Sequence, residues 1–208
     1  RELELFDGTI PLREKNITSE ACIHHLWFTD ADYDTKGTYI KWNPAVKTAS
    51  DREAIRAALL DGRIDVVATD HAPHTLQEKN GSYFNAPSGG PLVQHGLPAM
   101  LDLVHRGVIR VEKVVDLMSH RVAELFQIEE RGFIREGYKA DLVLVNPDGA
   151  WTVTGDNILY KCGWSPFTGH EFKSRVVGTW VNGTRVWDGV NLLTKNGNHA
   201  GERLTFDR

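Results

Sequence analysis

The rhythm of apolar and polar positions changes once along this chain. Residues 17–28, ITSEACIHHLWF, form a β-rich apolar run and predict a strand. In residues 51–62, DREAIRAALLDG, Ile55, Ala58 and Leu59 share one face at helical spacing. Ser50 ahead of them, with Glu53 at the third position, reads as a capping box, and Gly62 as the helix stop. RIDVVATD, 63–70, is a second strand. Strand, helix and strand in this order make a βαβ unit, which implies parallel pairing. Residues 30–48 and 74–90 have no period and carry Gly and Pro, so they read as loops. The second is long enough to suggest a functional or mobile loop. Helical spacing returns over 93–106, 111–118 and 120–127, with Ser119 as cap of the last. Residues 1–18 are polar with scattered apolar positions and read as the remainder of a helix followed by a loop.

Beyond residues 132–134 the period shortens. Ala140–Val145, Trp151–Thr154, Arg175–Val181 and Thr184–Trp187 are short β-rich runs separated by Gly and Pro. Asn182-Gly183 between the last two is the strongest short hairpin signal. The pattern therefore divides the chain into an α/β region, 1–133, and a small all-β region, 134–208.

Composition narrows the classes. The 208 residues are 41% hydrophobic and 25% charged, ordinary for a globular protein, with a formal net charge of -4. No basic stripe is present, which argues against nucleic acid as a partner. No apolar run reaches the roughly 18–20 residues of a membrane span. Cys22 and Cys162 are the only cysteines and form no CxxC pair, which fits a reducing, cytoplasmic setting. The opening RELELFDG lacks a signal-peptide core and an initiating Met, and reads as an internal segment.

The candidate chemistry lies at the end of the second strand, in DVVATDHAPH, 65–74. In parallel α/β folds the active site gathers at the carboxyl ends of strands. Asp70 emerges there, and a carboxylate in that position needs a partner or a metal. His71 and His74 bring ring nitrogens within a turn, and Pro73 stops the strand. An isolated D-H-x-x-H serves equally well as a turn cap with exposed histidines. His24 and His25, if extended, point to opposite faces and cannot share a metal, so a structural role is the default. For His95, His105, His120, His170 and His199, in helices or polar loops, surface or capping roles are the default, and none is assigned a function. Asn43, before Pro44, either starts a turn or binds a polar ligand. Phosphate-binding, dinucleotide and serine-nucleophile motifs are absent.

Three stretches together resemble a known family: KWNPAVKTASDREAIRAALLDGRIDVVATDHAPHTLQEK, then APSGG, then GFIREGYKADLVLVNPD. They resemble the dihydroorotases of the amidohydrolase superfamily, in order and over residues 20–190. The resemblance implies the C-terminal part of a (β/α)8 barrel of the TIM type, followed by a small β-sandwich region. It implies interconversion of N-carbamoyl-L-aspartate and L-dihydroorotate in pyrimidine synthesis, with one or two Zn2+ ions as cofactor. It also implies roles for residues of this chain. Asp70 matches the family's metal-touching, proton-shuttling aspartate. Asn43 and His74 match substrate-binding positions, Pro87 and Gly89 match positions whose backbone meets the ligand, and 77–88 belongs to a covering loop. A homodimer is among the assemblies it allows.

The sequence departs from that pattern in its metal ligands, lacking the family's bridging acid or carboxylated lysine and two further histidine strands as well as its opening motif. The family's metal site opens with H-x-H on the first barrel strand, and this chain contains no H-x-H. Catalytic zinc takes about three protein ligands, so the remaining ligands are expected from the N-terminal half of the barrel, outside these residues. Two other readings stay open: a non-catalytic remnant or assembly subunit, and a sister cyclic amidase acting on allantoin or hydantoin.

Overall fold

The computed structural model describes residues 2–193 and 200–207. His199, given a surface role above, lies outside the described residues.

Strand β1 (Glu20–Cys22) and strand β2 (Val66–Ala68) pair in parallel, with Cys22 level with Ala68. The helix between them, like the loops, differs in detail from expectation. The run 17–28 is strand only to Cys22; it then turns into helix α1 (Ile23–Trp27). Burial explains the switch. Ile23 and Leu26, three apart, both enter the core, which a helix allows and a strand of that length does not. Two short helical turns follow, Asp30–Asp32 and α2 (Tyr33–Lys36), then a third at Gly37–Ile40, within the stretch expected as loop.

Helix α3 (Ala49–Leu60) begins two residues earlier than Ser50 would have it. Thr48 is the cap: its hydroxyl accepts from the Asp51 N–H, and Asp51 reaches back to the Thr48 N–H. Glu53 pairs with Arg52 and Arg56 instead. Ala58 and Leu59 are buried as expected. Arg56 fastens α3 to the first barrel segment through two hydrogen bonds to the Leu26 carbonyl, 2.9 and 2.7 Å.

Within 74–90 lies one helical turn, α4 (Leu76–Lys79), closed by a Thr75–Glu78 capping box. Helix α5 spans Gly96–His105. The two helices expected over 111–127 are one continuous element: α6 (Val111–Val115), a π turn (Asp116–His120) and α7 (Arg121–Leu125). Ser119 lies inside it and caps nothing. Val114, Leu117 and Ala123 are buried along its inner side, so packing carries the helix through a residue that prefers a cap.

The later residues form two small antiparallel sheets. Strands β3 (Leu142–Asn146), β6 (Arg175–Val181) and β7 (Thr184–Trp187) pair in the order β3-β6-β7. Asn182 at φ +48° and Gly183 at φ +79° give the tight turn that Asn-Gly predicts. Strand β4 (Trp151–Thr152) pairs with β5 (Glu171–Phe172), which had no sequence signal. Val153, Phe167 and Phe172 join Ile23, Leu26, Phe28, Trp42, Met100 and Leu103 in one apolar core. Each such large side chain contributes about 1.5–3 kcal/mol on burial. Leu142, Val143 and Leu144 of β3, by contrast, are exposed. No helix among the described residues is long and apolar enough to cross a membrane.

Candidate functional site

Parallel pairing puts the carboxyl ends of β1 and β2 side by side, and the candidate site forms there. Cys22 ends β1, His24 follows in the first turn of α1, and Asp70 stands two residues past β2. The sulfur, a His24 ring nitrogen and an Asp70 oxygen all lie within 4.8 Å of one another. Asp70 adopts a left-handed backbone at φ +46°, a conformation that Asp tolerates better than most residues.

His24 is the residue that sequence reasoning missed. The argument against it assumed an extended backbone, and the helical turn removes that assumption. Its ring is buried, stacked on Trp42 at 4.2 Å and 6°, and packed against His25 at 4.1 Å. Burial, then the neighbouring His25, pushes its pKa down to about 3, so the ring is neutral and free to donate a lone pair. Its Nδ1 is buried without a hydrogen-bond partner. The available signal was the position of His24 one turn past a strand that pairs with the Asp70 strand.

Cys22 is half-buried, and its thiol is pushed up to about 12 by burial, then by Glu20 and Asp70. Sulfur, imidazole and carboxylate donors together fit a borderline metal such as zinc, and an orphaned buried imidazole nitrogen is the kind of atom a metal would satisfy. The residues present therefore fit a divalent cation, with a donor set drawn from both strand ends.

The other predicted site residues lie on the segments that follow the two strands. Asn43 is exposed, beside a cis peptide to Pro44, whose carbonyl lies 2.9 Å from His25 Nε2. His74 is half-buried; its Nε2 lies 3.1 Å from the Ser88 carbonyl and its Nδ1 3.8 Å from Glu78. His71 Nδ1 accepts from the Leu92 and Val93 N–H groups, at 3.0 and 3.3 Å. Pro87 and Gly89 lie on a loop drawn directly against this segment. The Ala72 N–H donates to the Gly90 carbonyl, and the Trp164 indole donates to the His74 carbonyl at 2.7 Å. Gly89 sits at φ +123°, and a Cβ there would fall 2.6 Å from the Ala72 carbonyl oxygen. Only glycine permits that approach.

Two histidines outside the site correct the surface assignment. His95 is fully buried, with Nδ1 3.1 Å from the Tyr160 hydroxyl and 3.0 Å from Ser165 Oγ. His170 Nε2 lies 3.5 Å from Asp102. Aromatic packing against Trp151, Phe167 and Phe172 accounts for the burial of His95. His105 and His120 brace the second half of the chain, His105 at Pro147 and Ser174 and His120 stacked on Phe133.

Known proteins resemble this chain in sequence and in fold. The chain is 44% identical to a dihydroorotase of Halobacterium salinarum over 183 residues, covering 88% of this chain and 43% of that protein. It is 32% identical to the dihydroorotase of Pyrococcus furiosus over 192 residues, covering 92% of this chain and 44% of that protein. Among solved structures, an L-hydantoinase from Arthrobacter aurescens superposes with a TM-score of 0.84 at 27% identity, over 93% of this chain and 44% of that one. The chain thus spans less than half the length of the relatives it matches. Strands β1 and β2 fit the parallel strands of an α/β barrel, and the family model described as "Amidohydrolase family" matches residues 13–186. On these grounds the chain belongs to the amidohydrolase family.

Proposed function

We propose that this chain supplies part of the active site of a zinc-dependent dihydroorotase. The observation that carries this reading is the convergence of His24 and Asp70 at the carboxyl ends of adjacent parallel strands. The resemblance of the DHAPH segment to dihydroorotases, and their identity levels, support it. In this reading His24 and Asp70 hold the metal, with Cys22 beside them, and the remaining ligands come from a segment that completes the barrel. Pyrimidine synthesis in the cytoplasm is the corresponding setting.

A zinc ion at this site supplies activation of water, whose pKa falls from 15.7 to about 7 on such a metal. Asp70 accepts the proton from the attacking water as the new C–O bond forms at the ring carbonyl. It returns that proton to the ring nitrogen as the C–N bond breaks. One water is consumed and N-carbamoyl-L-aspartate is released; the reverse sequence closes the ring. His74 donates to the substrate carboxylate, Asn43 to the ring, and the backbone around Pro87 and Gly89 borders the ligand.

A sister activity on hydantoin has its own support, the similarity to the L-hydantoinase. Purified protein, completed by the segment that closes the barrel, should contain zinc and turn over dihydroorotate faster than hydantoin or allantoin. Absence of both zinc and turnover would favour a non-catalytic subunit. Preference for hydantoin would favour the sister enzyme.

A further inference from the structure

Lys79 is fully buried. Its ammonium donates to the Pro87 carbonyl at 2.9 Å and to the Gly89 carbonyl at 2.8 Å, and sits 5.8 Å from the Trp164 ring centre. A second lysine works on the same loop. Lys41 Nζ donates to the Tyr83 and Ala86 carbonyls, each at 2.6 Å, and the Lys41 carbonyl accepts from the Gly89 N–H at 2.9 Å. Thr38 anchors the backbone of Lys79 through its carbonyl at 2.6 Å. Four carbonyls of one loop, at 83, 86, 87 and 89, therefore turn toward two ammonium groups, and among the described residues no carboxylate pairs with them.

Burying a lysine costs several kcal/mol unless it is paired or hydrogen-bonded. A scaffold needing only a braced loop could use neutral donors. Two cations held by neutral carbonyls leave uncompensated positive charge beneath the loop. In a trans peptide the C=O and N–H point in opposite directions. Turning the Pro87 carbonyl onto Lys79 thus aims the Ser88 N–H away from it, whereas the next peptide is reversed, with the Ser88 carbonyl toward His74 and the Gly89 N–H on the Lys41 carbonyl, so the positive charge comes from the two ammonium groups beneath the loop. That loop touches Ala72 and His74, beside Asp70.

We propose that Lys79, assisted by Lys41, is a positioning residue that makes the loop 83–90 select a substrate bearing a carboxylate over an otherwise identical neutral cyclic amide. The proposal rests on the dihydroorotase reading and deepens it by naming what sets its specificity. Lys79 acts through the loop and touches no reacting atom. Burial, then Lys41, lowers its pKa to about 8, so it still carries its charge at neutral pH.

The test compares dihydroorotate with dihydrouracil, the same ring without the carboxylate, in the zinc-loaded, barrel-complete protein. Lys79→Met should lower kcat/KM for dihydroorotate about tenfold or more, chiefly through KM, and leave dihydrouracil within twofold. Lys36→Met is the control. Lys36 donates to the Pro166 carbonyl at 2.7 Å and lies over Phe28, and among the described residues it donates to no carbonyl of 83–90, so its loss should leave the substrate ratio unchanged. Equal losses on both substrates in Lys79→Met would reduce Lys79 to a structural brace and overturn the proposal. So would a wild type that prefers dihydrouracil. If Lys79→Met does not fold, Lys41→Met carries the same prediction. If wild type turns over neither substrate, the dihydroorotase reading falls by itself, and calorimetry with orotate and uracil decides this one. Weakened orotate binding with uracil unaffected supports it; equal effects, or no binding of orotate by wild type, overturn it.

Discussion

Asp65 and Asp70 flank the same short strand, and their surroundings are opposites. Asp65, at the amino end of β2, is fully buried. One oxygen receives Lys15 at 2.7 Å and Arg121 at 2.8 Å, and the other receives the Ser19 N–H at 3.0 Å. Lys15 also donates to the Gly62 carbonyl. This carboxylate ties the segment before β1, the start of β2 and helix α7 into one knot. Asp70, at the carboxyl end, is exposed and accepts no hydrogen bond among the described residues. Its neighbours are Cys22 and His24. The same side chain thus stabilises one end of the strand and stays available at the other. A satisfied buried carboxylate has no capacity left for chemistry; an unsatisfied one beside a neutral imidazole does.

Substitutions should separate the two ends. The largest expected effect is on turnover at the open end. On the proposed dihydroorotase reading, Asp70→Asn in the barrel-complete protein should lower kcat by about 10²- to 10⁴-fold, the usual contribution of a positioned acid–base group, while the denaturation midpoint barely moves. A variant with near wild-type kcat would remove Asp70 from the mechanism. Next, Asp65→Ala leaves Lys15 and Arg121 facing a cavity without their counter-charge. Stability should fall by about 3–5 kcal/mol, read by urea denaturation, with activity per folded molecule retained. Were the loss below about 1 kcal/mol, the knot at the closed end would not be structural.

A third effect depends on pH. Burial pushes the His95 pKa down from 6.5 to about 4. Between these values the unfolded chain binds a proton that the folded chain refuses, so stability rises with pH. The contribution is fully present above pH 6.5 and is lost as pH falls toward 4, to the extent of about 3 kcal/mol. His95→Gln should flatten the stability slope in that window, as followed by denaturant midpoints at successive pH values. Unchanged slopes would assign the acid sensitivity elsewhere. The smallest effect belongs to the surface: Glu53→Gln removes exposed pairings with Arg52 and Arg56 and should change stability by less than about 0.5 kcal/mol. A loss of several kcal/mol in a thermal melt would mean that Arg56 needs Glu53 to hold the Leu26 carbonyl.

Much of the fold was legible because it rests on local rules. Parallel pairing around α3, the Asn182-Gly183 hairpin and the strands Arg175–Val181 and Thr184–Trp187 follow from period and turn chemistry. The misreadings share a physical origin. Residues 23–28 have strand-like composition, but tertiary burial of Ile23 and Leu26 makes a helix of them. Ser119 looks like a cap until the packing of Leu117 and Ala123 carries the helix past it. Strand β5 has only two residues and exists through its pairing with β4. In the candidate site, Asp70 and His74 could be singled out from DHAPH. Lys79 could not, since a lysine in a polar loop normally faces water.

From the linear order alone come the parallel βαβ unit, the aspartate at its open end and the glycine that lets the following loop close in. These depend on spacing and on backbone freedom, which neighbouring residues specify. Folding supplied the rest. The register of β1 on β2 sets Cys22 level with Ala68, and the turn after β1 swings His24 toward Asp70, forty-six positions away. Contacts across such separations depend on which faces the core buries, and that is settled only when distant segments compete for the same interior.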